Sequence, residues 1–554
     1  MDPKQGGPSV AIVGAGFGGL AAAISLEKQG FRNFTIYEKG SDVGGTWREN
    51  IYPGATSDIS IHYYSFSTDL NPDWDRTCAY QPDILKYLQD VSNKHGFYKN
   101  IVFNTKFVSA EWDAASQKYD IVTEDVVTGA KTSRTATVLI SAPGPLHIPK
   151  YPDFPGLDEY KGIKLHSAKW DKNIDLRGKR VAVIGNGSSG SQLTPRLAEV
   201  EGIQLSQFIR SGNWVLPNGA RHINGAVKWA FRYIPFLQRA FRYLLFWFFE
   251  FVYLLIFGNN FMRGPLVKFA TTVLSIYAPK EYLPLLIPKF PMGCRRIIFE
   301  DKYLASLHKP NVSLKDSSKI ASLDKDGIVM ADVVSNTNPR GIGENLPFDV
   351  IVFATGFITD AFPYHLHGTN STIQEYYDKT GGPNAYLGIT VPGFPNFYQV
   401  MGPNTATGYT SVVFFIETQV GYMTQLIKPV IEGKASSLEV LPGPTETYVN
   451  KVQRMFDDTV FNFCGSWYRV KGSGRNVMIF PGSAIKFWWW CRNVVWSDYK
   501  VVGLDGKQTK EFAKKNTPSS GLTALTCAAT VFAGVAWWRV SNGFNSVFNS
   551  ANNA

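Results

Sequence analysis

"SVAIVGAGFGGLAAAISLEKQG", residues 9–30, decides the fold. Val10 to Val13 is an unbroken apolar run, the pattern of a strand buried on both faces. It runs into Gly14, Gly16 and Gly19 in G-x-G-x-x-G spacing, and an Ala- and Leu-rich helical stretch follows. The first glycine permits a tight turn. The second lets backbone approach a pyrophosphate, and the third lets helix and strand pack closely. The helix N-terminus then offers free N–H groups and partial positive charge to phosphates. A second strand, "FTIYEKG", ends at Glu38, where a carboxylate accepts from ribose hydroxyls and disfavours a 2′-phosphate.

The design recurs in "KRVAVIGNGSSGSQLTPRLAE", residues 179–199. Val181 to Ile184 is the strand and Gly185, Gly187 and Gly190 are the turn. Asn186, Ser188, Ser189 and Gln192 are polar groups placed to donate near phosphates. Here the next strand, "LSQFIRSGNW", ends in Arg210 and Ser211 instead of an acid, and a guanidinium can grip a 2′-phosphate with two parallel hydrogen bonds. The reading is an α/β chain with two Rossmann-type units, the second suited to NADPH. Residues 1–160 form the first unit and 161–345 the second, with a hydrophobic helical insertion at 220–285. Residues 346–510 return to the first unit, and 511–554 are a linker and an apolar tail.

A length of 554 residues exceeds one ordinary core, in keeping with several domains. A net charge of +11 points to an anionic partner, and no Lys/Arg run interleaved with stacking aromatics favours nucleic acid. The five cysteines are scattered with no C-x-x-C pair. That argues against a disulfide framework, a metal site or a dithiol reductase, and for a reducing compartment. The N-terminus has no apolar signal region, so a cytosolic face is expected. Two nucleotides imply hydride transfer between them; the final acceptor, oxygen or a quinone, stays open at this point.

Between the two units lies "YKGIKLHSAKWD", residues 160–171, with no obvious strand. Its Tyr160-x-Gly162-xxx-His166-xxx-Trp170-Asp171 resembles the fingerprint of the Baeyer–Villiger monooxygenases, class B flavoprotein monooxygenases, with Tyr160 in place of the usual Phe. Other segments resemble the same family in the same order. Glu38 followed by "GGTW" implies that the first nucleotide is FAD, touched by Gly45, Thr46 and Trp47. "YPGATSDISIHYYSFS" carries Asp58 and Tyr64 to the flavin. "PMGCRRIIFEDKYLASL" implies Arg296 as the active-site arginine and Arg295 beside the NADPH phosphate. "DVIVFATGF" carries Thr355, "NFYQVMGPNTATG" carries Gly402, and "CGSWYRV" completes the series. The resemblance also places Val108 at FAD. It implies that His166 and Trp170 couple the two domains. It further implies that a C4a-peroxyflavin formed from O₂ attacks a ketone, with Arg296 favouring the peroxyanion and Asp58 holding Arg296 in place. "FWWWCRNVVW" suggests a bulky lipophilic ketone, and a looser resemblance is to fungal enzymes of secondary metabolism. The alternatives are an N- or S-oxygenating flavin monooxygenase and a membrane-bound NAD(P)H:quinone reductase.

Two apolar stretches stand out. "YLLFWFFEFVYLLIF", residues 243–257, is apolar on all sides except Glu250 and shorter than the roughly 20 residues of a spanning helix. It reads equally as a buried helix or as one dipping into a membrane surface. "LTALTCAATVFAGVAWW", residues 522–538, lies between Lys514, Lys515 and Arg539, and reads as a C-terminal anchor over 522–540 on an internal, ER-like membrane.

Overall fold

A computed structural model describes residues 7–512, apart from 218, 258–259, 301, 333–341, 360, 466–467, 471–473 and 510–511. The C-terminal stretch 522–540 therefore lies outside the described residues.

Each glycine motif sits at the centre of its own five-stranded parallel sheet. In the first, the order is Phe397–Gln399, Val138–Ser141, Val10–Val13, Phe34–Tyr37 and Ile101–Val102. In the second, it is Val312–Asp316, Gln204–Ile209, Arg180–Ile184, Val350–Phe353 and Ile163–His166. The motif strand of each sheet has the following strand on one side and a late-returning strand on the other. Val10–Val13 and Val181–Ile184 are buried throughout, as parallel strands covered on both faces must be.

The turns are pressed against equivalent neighbours. Gly14 has φ +96°, and a Cβ there would lie 2.6 Å from the Ala142 carbonyl oxygen. Gly185 has φ +115°, and its Cβ would lie 2.4 Å from the Ala354 carbonyl oxygen. Both positions require glycine for conformation and for space. The small residue that opens Ala354-Thr355-Gly356 thus has a packing reason, since it is the surface on which the second turn rests.

Two sequence expectations change here. Residues 163–166 form an edge strand of the second sheet, paired in parallel with Val350–Phe353. The short run "IKLH" alternates too little to announce this, and the pairing supplies what the pattern lacks. The strand 350–353 also belongs to the second sheet, so the return to the first unit comes after Phe353 and not at 346.

Around the first sheet pack a four-stranded sheet (His365–His367, Thr105–Asp113, Lys118–Asp125, Lys131–Ala136) and the long helix Val412–Ile431. That helix lies against Phe17–Lys28, where Ser25 and Thr424 hydroxyls meet at 2.9 Å. The apolar stretch expected to be short is a 23-residue helix, Pro235–Phe257, followed by a second helix, Asn260–Tyr277. Among the described residues it is the one helix long and apolar enough to cross a membrane.

Candidate active site

Arg296 and Asp58, 238 residues apart in sequence, meet in a two-pronged ion pair. Arg296 Nε donates to Asp58 Oδ2 at 3.0 Å and Nη2 to Oδ1 at 2.7 Å. The fork-on-fork geometry fixes the guanidinium plane as a single hydrogen bond would not. The strand Ile298–Phe299, paired with Val215–Leu216, anchors the arginine segment, and Trp214 O accepts from Ile298 N at 2.8 Å. Asp58 comes from the loop whose Ile59 and Ile61 side chains are buried. The Asp58 charge pushes the Arg296 pKa above its ordinary value, against an opposing effect of burial. Arg296 therefore stays cationic at any working pH, and with 38% of its side chain exposed it remains reachable by a small molecule.

Tyr64 and Tyr468 flank the guanidinium, and burial pushes each phenol up to about 12, so both stay neutral. Tyr64 also accepts from Trp47 Nε1 at 3.3 Å. Trp47 sits on the short helix Thr46–Glu49, directly after Gly45, whose φ is +52°. Gly45 and Gly16 face one another, and a Cβ on Gly45 would lie 3.0 Å from Gly16 Cα. This close backbone packing beside the N-terminus of the helix Phe17–Lys28 leaves a surface free of side chains, as approach of a pyrophosphate requires.

Glu38 is buried, and each carboxylate oxygen accepts one backbone N–H, from Ala15 N at 2.7 Å and from Gly40 N at 2.8 Å, with acceptor sites to spare. Arg210 is exposed at the matching position of the second unit. Arg295 stands close enough that Arg210, together with the larger effect of burial, lowers its pKa. Arg295 Nη1 also donates to Ser211 Oγ at 2.8 Å, and its guanidinium lies 4.5 Å from the Phe290 ring centroid. Positive charge from both residues at this strand end favours an anion nearby. Asn186 donates to Ser211 O at 3.1 Å, which ties the strand end to the glycine turn. Ser188 and Ser189 occupy the first turn of the helix Ser188–Leu197, and at Gly187 a Cβ would meet nothing within 4 Å.

Gln192 reaches across to the first unit. Its Oε1 accepts from Tyr52 OH at 2.8 Å and its Nε2 donates to Thr56 O at 3.1 Å. It is buried and bridges the two units, because the segment 52–56 packs onto this helix. Thr355 donates to Lys150 O at 2.5 Å. Gly402 lies against the Gly388 carbonyl, where a Cβ would come within 2.3 Å. Val108 falls at the register break between Phe107 and Ser109 of its strand.

His166 closes the edge strand. Its Nε2 lies 3.1 Å from Gly356 O and its Nδ1 accepts from Ala168 N at 3.1 Å. With one nitrogen accepting, the buried ring is neutral, and burial lowers its pKa further. His166 thereby joins the fingerprint to the Ala354-Thr355-Gly356 turn. Trp170 is half-buried against the main core. At Gly162 a Cβ would strike Tyr160 Oη at 2.1 Å, and Tyr160 OH donates to Phe348 O at 3.0 Å.

Cysteine spacing misled. Cys294 and Cys464 form a disulfide across a sequence separation of 170 residues, two positions before Arg296. Arg295 Nε reinforces the same junction by donating to Gly465 O at 3.1 Å. A pairing this distant cannot be read from spacing. It removes the argument for a reducing compartment that rested on scattered cysteines. Cys78 and Cys491 are buried and take no part in a disulfide among the described residues, and Cys527 lies outside the described residues.

This chain is 34% identical over 500 residues to a Baeyer–Villiger monooxygenase of Streptomyces coelicolor, covering 89% of this chain and 92% of the relative. The chain belongs to the Baeyer–Villiger monooxygenase family. Residues 7–243 match the FMO-like family, described as flavin-binding monooxygenase-like. The FAD-binding monooxygenase ktnD of Aspergillus niger is 33% identical over 566 residues, covering 96% of this chain and 89% of the relative. Among solved structures, an oxidized steroid monooxygenase bound to NADP aligns with TM-score 0.75 at 26% identity, over 90% of this chain and 99% of that one. A cyclohexanone monooxygenase from Rhodococcus bound to NADP⁺ aligns with TM-score 0.76 at 25% identity, over 89% and 99%. As an enzyme of the Baeyer–Villiger family, the chain is a flavin monooxygenase. Tyr468 and the Cys294–Cys464 bond are site features that sequence reasoning missed. Tyr468 lies inside "CGSWYRV", and only its burial beside Arg296 marks it out.

Proposed function

We propose that the chain binds FAD in the first unit and NADPH in the second, and inserts one oxygen atom of O₂ into a bulky, lipophilic ketone to give an ester or lactone. The observation that carries this reading is the Asp58-clamped Arg296 beside the junction of the two units. FAD, when bound and reduced by NADPH, supplies the activated dioxygen. The rest is the work of this chain's own residues.

The Gly16–Gly45 backbone surface and the helix Phe17–Lys28 would hold the FAD pyrophosphate. Glu38 would meet the ribose, while Arg210 and Arg295 would share the 2′-phosphate of NADPH. Arg296 holds a permanent positive charge where negative charge develops on the substrate's carbonyl oxygen, an effect often worth about 3 kcal/mol. Asp58 spends no proton; it orients Arg296 and keeps its partner charge fixed.

Arg296→Ala is expected to retain FAD and to be reduced by NADPH at a near-normal rate, while ester formation falls by at least about 100-fold. Mass spectrometry of products from a ketone panel under ¹⁸O₂ reads this out. Ester at the unmodified rate, or label appearing only on nitrogen or sulfur, would count against the reading.

A further inference from the structure

The helices Gly225–Tyr233, Pro235–Phe257 and Asn260–Tyr277 present two unlike faces. One face is bolted to the enzyme body by buried polar groups. Gln238 Nε2 donates to Asn71 O at 2.6 Å. Arg242 Nη1 donates to the carbonyls of His62 and Tyr63, both at 3.1 Å, and Nη2 to Glu417 at 3.2 Å. Glu250 accepts from Tyr409 OH at 2.9 Å and from Ala484 N at 3.0 Å. Gln238 and Arg242, four positions apart, form one stripe of the helix Pro235–Phe257, and Glu250, two turns further on, anchors its far end.

The opposite face is apolar and open. More than half of the exposed large hydrophobic side chains among the described residues fall between Val227 and Tyr277. Trp229, Phe236, Tyr243, Phe251, Phe261 and Ile276 are each at least half exposed, and Phe261 reaches 89%. An apolar patch of this kind marks an interaction surface. Within the three helices the exposed charges have one sign, although Lys228 and Arg232 pair with Asp75 and Asp73 of the body and Arg239 and Lys268 are the exposed cations with no ion pair among the described residues. Between residues 225 and 277 the charged residues are Lys228, Arg232, Arg239, Arg242, Arg263 and Lys268, and the single acid, Glu250, is buried against the body. Arg239 and Lys268 stand exposed beside the aromatics. An apolar, aromatic face framed by cations complements an anionic lipid surface.

The length of Pro235–Phe257 would permit spanning, but its polar stripe forbids it. Surrounding this helix with lipid would strip Arg242 and Glu250 of every partner named above and leave both charges in hydrocarbon. We propose that these three helices form a monotopic docking face that lies in the plane of an anionic bilayer surface, aromatics in the acyl boundary and the enzyme body above it. The far end of the helix reaches the candidate site. A Cβ on Gly293, three residues from Arg296, would meet Ile256 Cγ2 at 2.6 Å and Phe257 Cε1 at 2.9 Å. A membrane-dissolved ketone would thus leave the bilayer next to Arg296. That consequence rests on the Baeyer–Villiger reading, while the docking itself does not.

The test is flotation of the full-length flavoprotein with vesicles of phosphatidylcholine alone or with about 30 mol% phosphatidylserine. Binding to the anionic vesicles is expected to exceed binding to the neutral ones at least about tenfold at low salt, and to fall as salt rises. The combined variant Trp229→Ser, Phe236→Ser, Tyr243→Ser and Phe251→Ser is expected to lose that binding at least about tenfold with FAD content unchanged. Phe251→Cys alone, carrying a polarity-sensitive dye, should shift to the blue on anionic vesicles, which reads the contact without loss of four aromatics. Three results would overturn the proposal. They are equal binding to both vesicle types, an unshifted dye, and full binding by the combined variant, which would move the association to residues 522–540. Self-association without vesicles that the combined variant abolishes, with no flotation, would assign the face to a second copy of the chain.

Discussion

Both glycine turns lie between a buried strand and a helix, and both rest on an alanine carbonyl, Ala142 for Gly14 and Ala354 for Gly185. At the end of the next strand the two units part company. Glu38 is buried with both carboxylate oxygens held by backbone N–H groups, while Arg210 stands exposed with Arg295 brought alongside from a distant segment. The first unit holds its strand-end acid with backbone N–H groups, whereas the second leaves Arg210 exposed while Arg295 is tied to Ser211 and Gly465. One frame, repeated, acquires opposite chemistry from a single position in each copy.

The largest expected effect comes from filling the equivalent third glycines. A Cβ at Gly19 would lie 1.9 Å from Gly14 O, and one at Gly190 would lie 2.2 Å from Gly185 O. Gly19→Val is expected to abolish soluble FAD-containing protein. Gly190→Val is expected to keep FAD, read by its visible absorbance, while NADPH reduction in stopped flow slows by at least about 100-fold. Equal loss of FAD in both variants would break the comparison, since the halves would then not be separately assembled.

A smaller effect is expected at the diverging position. Arg210→Ala should lower kcat/KM for NADPH by about 10- to 100-fold, the range for losing a charge-assisted hydrogen bond of about 1.5–3 kcal/mol, and leave NADH unchanged. An unaltered NADPH to NADH ratio would remove Arg210 from phosphate recognition and leave Arg295 with that role.

The smallest effect tests the joint between the units. Tyr160→Phe deletes a buried hydroxyl that donates to Phe348 O, restoring the residue usual at this position of the fingerprint. Stability is expected to drop by about 1 kcal/mol in urea unfolding with both cofactor affinities intact. A change in NADPH affinity would instead show that the joint reports on the second site.

Much of the fold was legible because parallel strands and glycine turns are local patterns. "VAIV" and "VAVI", each followed by a correctly spaced glycine turn, need no distant residue to be recognised. The site was legible in parts. Arg296, Asp58, Arg295 and Arg210 were named from motif order, and the structure brings them together as two pairs. Gln192 also bonds Tyr52 and Thr56, a packing that spacing along a helix does not announce. The run 243–257 was read as apolar on all sides except Glu250, and the anchoring residues Gln238 and Arg242 lie just before it on the same helix.

The chain by itself determined two nucleotide-type turns, an acid after one and an arginine after the other, since these follow from residues within about 30 positions of each other along a βαβ unit. Only tertiary structure decided that Arg296 is clamped by a carboxylate 238 residues away, that Cys294 bonds to Cys464, and that one stripe of an apolar helix holds the body while the other stays open. Each depends on which distant surfaces pack against one another, and that is set by the whole core and not by any local period.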